Sequence, residues 1–194
     1  SFHPAYLLKD EKISGIMARR HNKDKIYTAS EMILGGGGFC PTPSLIIKRE
    51  KIINLPEWFY KEAPVGDYFF QIFSSLNDGA LYIDKVMSVY RFLSTSSVTL
   101  KSQQDVDLSI DECKAMISCL MKFDLRLNKN FHKEFSKAIS LSILSVLRTI
   151  EHPIHRKKIF YSENKKNILL KHKLLWIFIF KYKYIQQLIR KVKS

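Results

Sequence analysis

An α/β front followed by a helical, strongly basic tail is the architecture this sequence predicts. Three observations carry that reading. Short β-branched and aromatic runs alternate with turn residues up to about residue 100, apolar residues recur at three and four from Ser109 onward, and the charge excess is confined to residues 121–194. Of 194 residues, 46% are hydrophobic and 12% aromatic, enough for an ordinary buried core, so disorder is excluded as the main description. With 26% charged residues, 7 Gly and 6 Pro, the chain is neither collagen-like nor low-complexity. No apolar run reaches the roughly 18 residues a spanning helix needs, which excludes a multi-pass membrane protein. Cys40, Cys113 and Cys119 are too scattered for a disulfide framework, and no Cys/His cluster offers four ligands for structural zinc. A reducing cytoplasm is the expected compartment. The opening Ser-Phe-His-Pro is not an export signal, and it prompts the expectation that the chain is a fragment with sequence upstream.

Taken in order, residues 1–8 and 13–18 are short apolar runs separated by Lys-Asp-Glu-Lys, the pattern of two strands in a hairpin. Thr28-Ala-Ser-Glu-Met-Ile-Leu places a hydroxyl residue, Ser30 among the candidates, ahead of a short helix that runs into Gly35–Gly38. Ser44 to Lys48 reads as a buried strand, and Arg49 to Asn54 as a short helix or turn stopped by Pro56. Apolar residues at 69, 70, 72, 73 and 76 predict a helix that ends at Asn77-Asp-Gly79, after which Leu81 to Tyr90 returns as one or two strands. Ser109 is the expected cap of a helix through Cys113, Met116, Ile117, Leu120 and Met121. Phe131, Phe135, Ile139, Ile143 and Leu147 continue a second helix, which Pro153 closes. Residues between Pro153 and Lys171 are polar and basic with little periodicity.

Charge divides the chain more sharply than hydropathy. Residues 1–120 hold 14 basic and 14 acidic side chains, whereas 121–194 hold 18 basic and only four acidic, so the whole formal charge of +14 lies in the second part. Cationic tails serve phosphate backbones, anionic lipid or acidic partners. From Lys171 to Lys193 a seven-residue apolar block, Leu174 to Phe180, stands between lysines and is followed by Tyr182 and Tyr184. Two readings fit this segment. It is an interfacial helix that buries rings at the headgroup boundary while its cations meet anionic lipid, or it is a last helix docked on the protein's own core. Nucleic acid is disfavoured as a partner, because the block is too apolar for a stacking platform and no recognised binding motif is present.

Three blocks in residues 31–99 carry a resemblance. The first is Gly35-Gly-Gly-Gly-Phe-Cys-Pro-Thr-Pro-Ser-Leu-Ile-Ile-Lys-Arg49; the second is Leu55-Pro-Glu-Trp-Phe59 with Ala63-Pro-Val-Gly-Asp-Tyr68; the third is Gly79-Ala-Leu-Tyr-Ile-Asp-Lys-Val-Met-Ser-Val-Tyr-Arg91. In order and spacing they resemble the acceptor-side half of bacterial family-two glycosyltransferases. These are inverting enzymes with a GT-A, Rossmann-like fold that attach sugars to cell-surface polysaccharides. The resemblance implies that residues 1–100 are the acceptor-side part of a GT-A domain and that 101–194 are a helical extension, with a membrane-associating segment at 165–193. It also implies a nucleotide-sugar donor, a glycan or lipid-linked acceptor, and a location on the inner face of the plasma membrane.

By the same resemblance Asp67 is the catalytic base. Inversion at an anomeric carbon needs a carboxylate to take the acceptor hydroxyl's proton. Gly66 leaves space near the backbone, and a helix N-terminus favours a negative charge at 67. As a bare residue Asp67 equally reads as a first-turn residue balancing its helix dipole. Gly36, Gly37 and Gly38 allow a sugar to approach the backbone or simply form a flexible loop, since they lack the Lys-Ser/Thr of a P-loop. Arg91, with Tyr90, suits a diphosphate or else pairs with Asp84. Thr42 and Ser44 are candidates for sugar hydroxyls, and Tyr68 belongs to the same Gly-Asp-Tyr segment. Where many relatives carry a metal-binding histidine, this chain has Leu93. The Asp-x-Asp carboxylates that hold Mg²⁺ or Mn²⁺ are expected upstream of Ser1, because Asp105-Val-Asp107 lies past Arg91 in a linker. A non-catalytic basic adaptor that binds anionic membranes or acidic partners through its tail is the alternative reading of the whole chain.

Overall fold

A computed structural model describes residues 1–92, 104–149 and 153–177. Strands β1 (Ala5–Lys9) and β2 (Lys12–Met17) form the expected antiparallel hairpin, with Lys9 opposite Lys12. Asp10 and Glu11 both take positive φ, 48° and 61°. This left-handed pair gives a two-residue turn whose twist matches that of the strands it joins. Strand β3 (Lys25–Tyr27) leads to helix α1 (Ala29–Gly35). Thr28, rather than Ser30, is the cap. Its hydroxyl accepts from the Glu31 N–H at 3.2 Å while the Glu31 carboxylate accepts from the Thr28 N–H at 2.8 Å, a reciprocal box.

Helices α2 (Glu57–Glu62) and α3 (Asp67–Ser75) follow, and then strands β4 (Ala80–Tyr82) and β5 (Ser88–Arg91). β4 pairs antiparallel with β3, and β5 runs parallel to β1, giving sheets β3-β4 and β2-β1-β5. Gly79, at φ +74°, enters β4 so close to β3 that a Cβ there would lie 2.5 Å from the Tyr27 carbonyl oxygen. The helical part consists of α4 (Val106–Arg126), α5 (His132–Arg148) and α6 (Ile154–Asn164), followed by helical residues 170–177.

Two hydrophobic cores result. The smaller one clusters Phe2, Tyr27, Met32, Cys40, Ala80 and Tyr82 under the β3-β4 sheet. The larger one joins α3 to the helices, with the rings of Phe73 and Phe123 stacked 4.2 Å apart and Phe135 beside them. It therefore draws side chains both from α3 and from the helices after residue 104. Among the described residues the content is mixed but helix-dominated, 55% helix against 13% strand, and the parallel pairings are the β1-β5 ladder and a single Phe2–Tyr82 bridge.

Several expectations are corrected. Ser44 to Lys48 is not a strand: Thr42–Ser44 is a 3-10 turn that begins in Pro41 and Pro43, Ser44 is buried, and Ile46 is exposed. Ser109 does not cap α4. Asp105 does, by accepting from the N–H groups of Asp107 and Leu108, so this acidic pair starts a helix instead of lying in a linker. Pro153 opens α6 rather than only closing α5, and it supplies the start of a helix that the weak periodicity concealed. Leu93 and residues 178–193 lie outside the described residues.

Candidate active site

The glycine run is where the two cores meet. Met32 and Ile33, consecutive on α1, enter the smaller and the larger core respectively. Residue 35 has to be glycine because the Phe39 ring folds back onto it, leaving 2.3 Å to a hypothetical Cβ. Residue 36 turns the chain at φ +70°. Three side chains then fix the loop. Buried Gln71 donates from Nε2 to the carbonyls of Met32 at 3.1 Å and Gly36 at 3.0 Å. The Tyr68 hydroxyl donates to the Ile33 carbonyl at 2.6 Å. Arg20 donates to the carbonyls of Gly38 at 2.6 Å and Phe39 at 3.1 Å, with its guanidinium 4.5 Å above the Phe39 ring. The loose-loop reading of Gly36–Gly38 is thereby replaced by a clamped one.

Asp67 is the first residue of α3 and is half-buried. One carboxylate oxygen accepts from the Thr42 hydroxyl at 2.5 Å and the other from the Tyr68 N–H at 2.8 Å. The Thr42–Ser44 turn that brings Thr42 here follows directly on the glycine run and packs beside β5, the strand of Tyr90 and Arg91. Cys40 is buried between this turn and the loop. Burial pushes its thiol up to about 12, partly offset by Arg20, which keeps it in the protonated thiol form.

The remaining candidates divide. Ser44 is buried and donates to the Pro41 carbonyl at 2.7 Å, so its hydroxyl shapes the turn and does not face a ligand. Tyr68 is likewise buried, its phenol raised by burial and committed to Ile33. Beside Gly66 stand the rings of Phe70 and Phe59, 3.6 and 3.8 Å from a hypothetical Cβ, so its near side is filled by aromatic carbon. Tyr90 is half-buried and Arg91 exposed on β5. Asp84 does not pair with Arg91; it lies 3.5 Å from Arg19 and accepts from the Tyr82 hydroxyl at 3.2 Å. Among the described residues no three His, Cys, Asp or Glu side chains converge as a metal site.

Arg20 and Gln71 went unread in the sequence. Gln71 had left a trace, a lone amide amid the apolar positions of α3, where a buried polar group needs a partner. Beside the clamped loop a cleft of about 270 Å³ opens between Gly35–Gly37 and Leu141, Ser142 and Ser145 of α5. Tyr68 lines this cleft, whereas Asp67 does not. No protein-family model, curated protein or solved structure matches this chain.

Proposed function

We propose that this chain is the acceptor-side part of a GT-A, family-two inverting glycosyltransferase that moves a sugar from a nucleotide diphosphate to a glycan or lipid-linked hydroxyl. The observation that supports this best is the Asp67 carboxylate held by Thr42 next to the clamped glycine run. In this role Asp67 takes the proton of the acceptor hydroxyl as that oxygen bonds to the anomeric carbon, and the nucleotide diphosphate leaves from the opposite face. Thr42 is a positioning residue: its hydroxyl and the Tyr68 N–H each hold one carboxylate oxygen, and the acceptor proton goes to a remaining lone pair of the group. Tyr90 and Arg91 are consecutive on the strand beside the Thr42 turn and so lie on opposite faces of it, and the exposed Arg91 is the one assigned to the diphosphate. The basic segment 165–193 rests on the anionic inner face of the plasma membrane, its lysines and arginines meeting acidic headgroups.

The test is Asp67→Asn in the full-length enzyme. Turnover of a nucleotide sugar should fall by about 10²–10⁴-fold with nucleotide affinity unchanged. Turnover at the wild-type rate would overturn the reading.

A further inference from the structure

The two helical turns at 170–177 are apolar on both sides. Inward, His172 and Trp176 are buried, four residues apart. The Ser140 hydroxyl of α5 accepts from the Leu169 N–H at 3.0 Å and lies 2.5 Å from His172 Nδ1, while Trp176 stacks on Tyr161 of α6 at 5.8 Å. Outward, Leu170, Leu174 and Ile177 retain 74%, 62% and 46% of their exposure. Their spacing of four and three makes one stripe. Lys171 within this helix and Lys165 and Lys166 in the turn before it are exposed too.

The docked and interfacial readings of the tail are thus compatible in these residues, because they use opposite faces. We propose that Leu170, Leu174 and Ile177 form the surface by which this chain lies on an anionic lipid bilayer while His172 and Trp176 stay docked on α5 and α6. The inference rests on the membrane part of the proposed function and assigns it a face. Charge complementarity selects the occupant: this stripe stands in the part of the chain that carries the whole excess of +14, and the sequence goes on through Lys181, Lys183, Arg190, Lys191 and Lys193. Three side chains on two turns are far short of the roughly 800 Å² per partner of a stable protein interface. They are sufficient for shallow insertion at a headgroup boundary when cations add their attraction.

The experiment uses the full chain with phosphatidylcholine vesicles made with and without phosphatidylglycerol. The wild type should co-sediment with the anionic vesicles and release them as salt rises. Leu174→Asp and Leu170→Asp, at positions already exposed, should leave the far-ultraviolet circular dichroism unchanged and weaken binding by about tenfold or more. Brominated acyl chains should not quench tryptophan emission, since Trp176 faces inward. Wild-type binding by both aspartate variants would overturn the face assignment, as would quenching that disappears in Trp176→Phe. Failure of the wild type to bind anionic vesicles at all would remove the membrane reading itself, a separate outcome.

Discussion

The sheet side and the helical side of this molecule are held together by different means. In the sheet side, strands are three to six residues long, only β3 and β4 contribute to the small aromatic cluster, and much of the order comes from backbone devices: left-handed Asp10 and Glu11, Gly79 pressed against the Tyr27 carbonyl, and the Thr28–Glu31 box. In the helical side, helices interlock through Phe69, Phe73, Phe123 and Phe135, and among the described residues positive φ is confined to the Asn128-Lys129 turn between α4 and α5. The candidate site stands at the seam, where backbone geometry on one side and packed rings on the other both fix the glycine run. Perturbing either side should therefore reach the site by a different route.

The largest effect is expected from Phe123→Ala, which removes a ring with no exposure at the centre of the larger core. It should cost about 3–5 kcal/mol in denaturant unfolding, with the loss of helical signal leading the transition. Gly79→Ala attacks the sheet side, since it forces a side chain into a left-handed position already crowded by β3. A cost of about 1–3 kcal/mol is expected, and equal stability would show that the β3-β4 contact is softer than described. The smallest effect concerns His172, whose pKa is lowered by burial and then by Lys171, Arg148 and Lys137. A neutral imidazole with its proton on Nε2 has a lone pair on Nδ1 for the Ser140 hydroxyl, and an imidazolium has none. Protonation is disfavoured in the folded state, so the stability His172 contributes is full above the ordinary imidazole value, about 6.5, and is lost as pH falls through the lowered folded value. Thermal midpoints should decline on acidification in the wild type and decline less in His172→Gln; identical profiles would assign the acid sensitivity elsewhere.

Local signals were readable where they act over one or two turns. The hairpin, the Thr28 region, the α3 period and the apolar repeats of α4 and α5 all depend on residues a few positions apart. Signals that depend on remote partners were not readable. Gln71 satisfies carbonyls 35 and 39 residues away, and Arg20 clamps carbonyls 18 and 19 residues on. Helix α6 escaped because it buries only Lys157, Phe160 and Asn164, two of them polar, so no hydrophobic stripe announces it. The Asp67–Thr42 pair spans 25 residues. The sequence motifs pointed to Asp67 by resemblance, but its bond to Thr42 became visible only once the turn after the glycines was folded.

Met32 and Ile33 are neighbours in the chain yet anchor in separate cores. A helix only seven residues long pinned in this way behaves like an axle seated in two bearings: it cannot roll or slide unless both housings loosen together. The glycine run at its end inherits that stiffness, which keeps a segment rich in the most pliant residue type from wandering.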